Sequence, residues 1–284
     1  MKDRLKRVWK VVNSNMQLKI GLILFAILII LAVFAPAITG GRSPYRIYDD
    51  LLQAPSLKYL LGTDGIGRDI FTMIVYGTRV SLTIGIVATC ISGILGTIIG
   101  AISGYFGGKI DTFVTEVINI FVMTPTFFLI LIIIALFGSS IYRVMIVIGL
   151  TSWPGNARLM RAQAKSIRER TYIKSATVIG ESKWKIMFKH VIPNGIFPVI
   201  ANTTMNVSSA ILMEAGLSFL GLGDPNVVSW GQIISHGQKY VTHAWWISLF
   251  GGLIIVITVL TFFLIGDALN KVLAPKLQNV GGGE

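Results

Sequence analysis

The chain has 284 residues, of which 53% are hydrophobic and only 13% are charged. A soluble domain carries roughly a quarter charged residues, so this composition excludes an ordinary soluble protein and indicates a polytopic membrane protein. The formal net charge is +12. The basic residues lie between the apolar runs, which is typical of cytoplasm-facing loops and argues against nucleic-acid binding.

Charge-free runs long enough to cross a bilayer of about 30 Å predict an all-α protein with six transmembrane helices. The runs cover 20–38, 80–104, 117–137, 144–157, 191–213 and 245–266. Pro125 predicts a kink in the third run, and the fourth run is the shortest. The first run is longer than the apolar core of a signal peptide, so we expect an uncleaved span.

Six spans place both termini on the same side, and the charge distribution selects the cytoplasm. In that orientation the inner segments hold eighteen of the 25 Lys and Arg residues, as the positive-inside rule requires. Segment 1–19 is then expected to be a basic amphipathic helix on the membrane surface. Segment 20–79 would hold the first span and a long external loop, 80–270 the transmembrane core, and 271–284 a cytoplasmic tail.

The segment 154–193, between spans four and five, is strongly basic and therefore expected in the cytoplasm. Thr171 is suited to cap a short helix over 172–179, and Gly180 is suited to end it. Ser182 is suited to cap a second helix ahead of the next span. The pattern predicts two helices joined by a tight turn across the end of the bundle.

An apolar face is expected on these two helices, supplied by Tyr172, Ile173, Ala176, Ile179 and Trp184. Burial of Tyr172 or Ile173 in the groove of a partner would contribute roughly 1.5–3 kcal/mol each. The same face could instead pack against the protein's own bundle, and the pattern alone does not choose between the two.

Few polar side chains lie within the predicted spans. Glu214 is near the outer end of the fifth span, and a charge at the bilayer centre costs about 2.5–3.5 kcal/mol on insertion scales. It could pair with Arg79 to hold two spans together, or it could contact a substrate. Asn202 and Asn206 are four residues apart on one helix face and could line a pathway or join helices.

Several motifs occur in the order and spacing of one known family. They are Gly62-Thr63-Asp64, Gly67-Arg68-Asp69, the glycine-rich stretches 77–85 and 104–111, Trp153-Pro154, the stretch 217–223, Ser229-Trp230-Gly231 and Gly266-Asp267. The basic segment adds Tyr172, Ala176, Gly180, His190 and Pro193-Asn194, which resemble the cytoplasmic "EAA" loop of ABC importer permeases. Over nearly its whole length the chain is similar to the C-type permease of dipeptide, oligopeptide and nickel importers.

The resemblance implies a non-catalytic permease subunit of a bacterial or archaeal cell membrane. It implies a second permease, two cytoplasmic ATPases that bind ATP and Mg²⁺, and an external substrate-binding protein. The ATPase-coupling residues would be Tyr172, Ile173, Lys174, Ala176, Gly180, His190 and Pro193. One departure is Lys174-Ser175-Ala176, where the family usually has Glu-Ala-Ala.

The alternatives differ in their chemistry. A secondary transporter or channel is less favoured, because only Glu214 among the ionisable residues lies clearly within a span. The three histidines and one cysteine are not at metal-ligand spacing, so no metal site is expected in this chain, and no cofactor. We expect peptides as the substrate, with nickel or a metal chelate as the alternative.

Overall fold

The computed structural model describes residues 15–273, and the regular secondary structure of this part of the chain is helical, with one isolated bridge between Thr63 and Asp69. The helices are α1 Met16–Val33, α2 Ala35–Ile38, α3 Ile70–Phe106, α4 Gly108–Met123, α5 Thr126–Phe137, α6 Ile141–Thr151, α7 Trp153–Arg168, α8 Thr171–Val178, α9 Lys183–Ile186, a π-helix Met187–Val191, α10 Ile192–Gly195, α11 Phe197–Phe219, α12 Trp230–Gly237, a 3₁₀ turn Gln238–Tyr240 and α13 Trp245–Leu273. Most of the basic helix expected over 1–19, and the tail from 274, lie outside the described residues.

Three helices, α1, α3 and α13, are each long and apolar enough to cross a membrane, and the count reaches five if two bent pairs are spans. One pair is α4 with α5, bent by 80°, and the other is Lys183–Gly195 with α11, bent by 59°. The expected fourth run falls on α6 and the start of α7. At 1.5 Å per residue, the 11 residues of α6 extend only about 16 Å. The total of six spans therefore stays a prediction.

Two boundaries differ from those expected. Helix α3 begins at Ile70, ten residues before the predicted second span, so the loop before it ends at Asp69. Arg79 lies inside the helix and does not end it, because its guanidinium donates hydrogen bonds to the carbonyls of Ala32 and Val33 at the end of α1. In the third run the chain does more than kink: it breaks between α4 and α5 at Pro125.

Helix α3 is the centre of the bundle, and its closest neighbour is α7. Gly96, Gly100 and Gly104 recur every four residues on the face of α3 that meets α7. A Cβ atom added to Gly100 would lie 2.4 Å from the carbonyl oxygen of Ala157, and one added to Gly104 would lie 2.4 Å from that of Arg161. The two backbones are therefore in contact, as occurs where small residues line helix interfaces in membranes.

The end of the bundle opposite α8 is fixed by two tryptophans. Trp230 is fully buried; its indole N–H donates to the Ile74 carbonyl at 3.2 Å, and its backbone N–H donates to the Ser81 hydroxyl at 3.2 Å. The indole of Trp246 donates to the Thr63 carbonyl at 3.2 Å. These bonds attach α12 and the loop before α3 to the ends of α3 and α13.

Replacement of Gly100 by leucine tests the α3–α7 contact. We expect Gly100→Leu to separate the helices and to lower stability by about 1–3 kcal/mol or more, because the obstacle is backbone that cannot rotate away. Gly252→Leu on α13 is the matched control, since nothing lies within 4 Å of a Cβ added there. The measurement is the thermal midpoint of the detergent-solubilised protein by fluorescence-detected size exclusion. Equal midpoints in the two variants would contradict the contact.

Candidate coupling surface and translocation cavity

Helix α8 lies at one end of the bundle, between α7 and α9. Its N-cap residue is Arg170, and no side chain caps it, so the prediction that Thr171 caps this helix is wrong by one residue. The reason is local: backbone bonds from Ile173 and Lys174 to the Arg170 carbonyl already begin the helix there. The second cap is as expected, because Ser182 Oγ accepts a hydrogen bond from the Lys185 N–H at 3.3 Å.

Gly180 ends α8 in a left-handed conformation, with φ of +87°. The Glu181 N–H donates to the Ala176 carbonyl at 3.1 Å, and the Gly180 N–H donates to the Thr177 carbonyl at 3.1 Å. This pair of bonds is a Schellman motif, which favours glycine because a Cβ is disfavoured at positive φ. The Cβ position itself is open, with nothing within 4 Å. The requirement for glycine at this position therefore comes from the backbone conformation and not from a lack of space for a side chain.

Glu181, directly after the turn, joins α8 to the next helical segment. Its carboxylate accepts from Lys185 Nζ at 3.1 Å, contacts His190 Nε2 at 3.1 Å and lies 3.8 Å from Lys189 Nζ. The hydrogen bonds from Lys185 and His190 hold the pKa of Glu181 below its ordinary value. The carboxylate thus stays ionised at neutral pH, and this contribution to stability is lost only when acid protonates it.

Lys174, Pro193 and the neighbouring Asn194 each contribute differently to the structure of the loop. Lys174 forms an ion pair with Glu169 at 3.2 Å, so its charge is directed to its own loop. Pro193 is within the first turn of α10, where its missing N–H costs nothing. The side chain of Asn194 donates to the His190 carbonyl at 2.7 Å.

The apolar face of α8 is divided between the interior and the surface. Ile173 is only 2% exposed and packs in a cluster with Met160, Ile186 and Met187, so it belongs to the protein's own core and is not free to enter a partner. Tyr172 is 41% exposed.

The most exposed apolar side chains of the loop are at the end of α8. Val178 and Ile179 are 88% and 85% exposed. We call these two residues the apolar tip. The sequence analysis placed Ile179 on the apolar face but named neither residue as a coupling residue, although two β-branched apolar residues directly before a turn glycine were a usable signal.

A cavity of about 370 Å³ lies within the bundle, between α3, α6, α7 and α11. Many of its lining residues carry amide or hydroxyl groups: Thr89, Thr126, Thr151, Ser152, Asn202, Asn206 and Ser209. We call it the polar cavity. Both predicted asparagines are here, so the structure brings this pair together as the spacing indicated.

Asn202 has a second contact that the sequence did not reveal. Its Nδ2 donates to Asn156 Oδ1 at 2.8 Å, and Asn156 Nδ2 donates to Ser92 Oγ at 3.4 Å. Asn156 is fully buried. Asn202 therefore lines the cavity and also joins α11 to α7 and α3, whereas the side chain of Asn206 makes no hydrogen bond to another described residue. Asn202 thus joins helices, and a pathway role stays a prediction for both asparagines.

Glu214 does not line the polar cavity and does not pair with Arg79, so the predicted ion pair is wrong. Arg79 is on the surface of α3, at the carbonyls that end α1. Glu214 is 5% exposed, and its Oε1 accepts from the hydroxyls of Ser218 and Ser229 at 2.6 and 2.7 Å. Because Ser229 also caps α12, the carboxyl group attaches α12 to α11.

A bundle of apolar helices, with a polar cavity inside it and a structured basic loop at one end, defines a membrane transport protein. The family model described as "Binding-protein-dependent transport system inner membrane component" matches residues 96–279. The chain belongs to this family. It is a permease, the non-catalytic component of an ABC transport system, and a multi-pass protein of the inner membrane.

Full-length relatives support the same assignment. The chain is 36% identical to the dipeptide transport system permease protein DppC of Alkalihalophilus pseudofirmus, covering 96% of this chain and 90% of the relative. It is 36% identical to DppC of Escherichia coli, covering 96% and 94%. It is 33% identical to the di/tripeptide transport system permease protein DppC of Pseudomonas aeruginosa, covering 97% and 93%.

Solved structures show a related fold. A structure of the MetNI methionine ABC transporter in an inward-facing conformation matches with a TM-score of 0.55 at 17% identity, covering 71% of this chain and 96% of that chain. A second crystal form matches with a TM-score of 0.55 at 19% identity, covering 72% and 98%. At this identity the likeness concerns the fold alone.

The two asparagines allow packing and pathway to be separated. We expect Asn202→Ala to lower the thermal midpoint, with a loss of roughly 0.5–2 kcal/mol, because Asn156 loses a buried partner. Asn206→Ala is the matched variant and should leave the midpoint unchanged while altering substrate transport. Thermal unfolding in detergent and uptake in cells are the two measurements. A midpoint lowered equally in both variants would refute the division of roles.

Proposed function

We propose that the chain is the permease subunit of an ATP-driven peptide importer and that the apolar tip, with Tyr172, docks into a groove of a cytoplasmic ATPase. The observation that carries the docking proposal is the exposure of Val178 and Ile179 on a loop held by a Schellman turn and a four-residue charge cluster. An apolar pair on a rigid support loses little conformational entropy on binding. A partner that covers it gains most of the burial free energy.

This proposal includes the membrane arrangement predicted from the charges. Six spans cross the membrane, with both termini and α8 in the cytoplasm. The basic residues of α7 and of the segment after Gly180 then face the side that the positive-inside rule assigns to them. ATP and Mg²⁺ are held by the ATPase subunits, and this chain supplies the mechanical connection between them and the polar cavity.

The proposal also includes a second, homologous permease and an external substrate-binding protein. Two permeases with their polar cavities facing one another would enclose a pathway between them. Closure of the ATPases on ATP would move both coupling loops together. Because α8 is attached to α7 through buried Ile173, and α7 is in backbone contact with α3, the movement would reach the helices that line the cavity.

The peptide assignment rests on the relatives and on the chemistry of the cavity. The relatives described above are named as dipeptide or di/tripeptide permeases. Asn, Ser and Thr side chains both donate and accept hydrogen bonds, which suits the alternating N–H and C=O groups of a peptide. Nickel is better held by imidazole and similar ligands, and the residues that line the polar cavity include no histidine.

Substitution of the apolar tip tests the docking proposal. We expect Ile179→Ser, or Val178→Ser, to leave membrane insertion intact and to weaken ATPase association roughly tenfold to hundredfold, the equivalent of about 1.5–3 kcal/mol of lost burial. Gly180→Asp should have the same consequence, because it strains the turn that presents the tip. Co-purification with the ATPase and ATP-dependent uptake are the measurements.

Two further variants control this test. Leu57→Ser removes an apolar side chain that is fully exposed in the loop before α3, and it should leave ATPase association unchanged. Ile173→Ala should lower the stability of the permease itself, since this side chain is in the core. Wild-type ATPase binding in Ile179→Ser, or an equal loss in Leu57→Ser, would eliminate the apolar tip as the docking element.

The substrate is tested in a strain that lacks this gene. We expect the deletion to abolish growth on a di- or tripeptide as the sole source of a required amino acid, and the wild-type gene to restore it. Uptake of radioactive nickel should be the same with and without the gene. Loss of nickel uptake with normal growth on peptides would replace the peptide assignment by the metal alternative.

A further inference from the structure

A second cavity, of about 420 Å³, lies on the outside of the bundle between α3 and α11. From the π-helix through α10 to α11, one side of the groove is lined at intervals of four residues by Phe188, Ile192, Ile196 and Ile200. Ile94 and Ile98 line it from α3. We call this cavity the apolar groove. It is separate from the polar cavity, which lies against other faces of the same two helices.

The apolar groove is open to the exterior of the described chain. Ile94 is 61% exposed, and Phe188 and Ile200 are also exposed. Three threonines line it, and two of their hydroxyls are satisfied within their own helices, since Thr97 donates to the Gly93 carbonyl at 2.7 Å and Thr204 to the Ile200 carbonyl at 2.9 Å. The third, Thr203, forms no side-chain hydrogen bond with another described residue. The groove therefore suits an apolar occupant that forms few hydrogen bonds.

Three aromatic side chains close the groove at the end nearer α8. The ring of Trp184 is stacked on that of Phe188 at 6.4 Å and lies 5.0 Å from that of Phe106 at the end of α3. Trp184 is itself exposed. Tryptophan is enriched where the acyl region of a bilayer meets the headgroups, and an exposed Trp184 suits that position at this end of the groove.

A third cavity, of about 400 Å³, begins on the other side of Phe106 and is basic. Arg168, Lys174 and Lys183 are among its lining residues, with Glu169 the single acid. Lys174 is paired with Glu169, and Arg168 contacts the same carboxylate at 3.3 Å. Lys183 forms no ion pair with another described residue. We call this cavity the basic pocket, and it carries an excess of positive charge.

We infer that the apolar groove and the basic pocket together bind an anionic phospholipid. An acyl chain occupies the groove between α3 and α11, and the phosphate lies near Lys183 and Arg168. A transmembrane helix of a partner protein would fill the groove but has no use for the basic pocket. A phospholipid carries the apolar chain and the anionic group in one molecule, in the order in which the two cavities occur.

This inference rests on the proposed function, because it places α8 and the basic pocket at the cytoplasmic leaflet, which is rich in anionic lipid. It also extends that function. Ile173, Thr177 and Val178 of α8 line the basic pocket, so a bound lipid would contact the coupling helix directly beside the apolar tip. The lipid would then stabilise the orientation in which the apolar tip is presented.

The test uses the assembled transporter in nanodiscs of phosphatidylcholine, alone or mixed with phosphatidylglycerol. Native mass spectrometry counts the phospholipids that stay bound, and ATP hydrolysis stimulated by the binding protein reports coupling. We expect bound phosphatidylglycerol and faster hydrolysis in the mixed nanodiscs. Lys183→Gln should weaken phosphatidylglycerol binding about fivefold, and Ile94→Trp, which fills the groove, should remove it. Lys239→Gln, an exposed lysine beside α12, is the matched charge control and should bind as the wild type does.

The outcomes separate this inference from the proposed function. Equal binding of the two lipids, or phosphatidylglycerol binding that is unchanged in both Lys183→Gln and Ile94→Trp, would overturn the lipid site while leaving the importer assignment intact. Cross-linking of Cys90, which lines the groove, to the second permease would also overturn it, since a protein helix would then be the occupant. Failure of the chain to co-purify with an ATPase and a second permease, with selective phosphatidylglycerol binding retained, would contradict the proposed function alone.

Discussion

The rest of this structure depends on the backbone contact between α3 and α7. Water cannot satisfy peptide groups inside a bilayer, so the chain is helical, and helices in lipid gain by close packing more than by hydrophobicity. Gly96, Gly100 and Gly104 permit that packing on α7. The contact fixes the floor of the polar cavity, and α7 continues directly into α8. The position of the coupling loop is therefore set by the same interface that shapes the cavity.

The proposed coupling loop is held in place by many contacts within the protein, and only a small apolar part of it is exposed. The turn at Gly180 and the cluster around Glu181 direct the polar groups inward, to one another. Ile173 attaches α8 to the core. What remains for a partner is the apolar tip of Val178 and Ile179. Exposed ion pairs contribute little to stability individually, so the charges around Glu181 are better understood as defining the shape of the loop than as strengthening the fold.

The sequence predicted those features that depend on local chemistry. Gly180 takes a positive φ and Ser182 caps a helix, because each effect is a property of the residue and its immediate neighbours. For Pro125 the position of the interruption was predicted, but as a kink, whereas the structure has a break between two helices. It did not predict contacts that depend on tertiary packing. The direction in which Ile173 faces is set by α7 and the following helix, and Glu214 takes two serine hydroxyls in preference to Arg79 because α12 folds back over α11. The boundary at Ile70 was missed because Arg79 reaches carbonyl groups on another helix.

Helix α11 and the segment before it, residues 183–195, line two different cavities with two different faces. Asn202 and Asn206 face the polar cavity, while Ile196 and Ile200 face the apolar groove, and both pairs recur at four residues. A rotation of this helix would therefore change the substrate pathway and the lipid-facing surface together. Because this segment begins at Lys183, shortly after the apolar tip, the proposed ATP-driven movement of α8 would reach it first. The bend of 59° before α11 divides the segment, so the movement would have to pass through this bend to reach the asparagines.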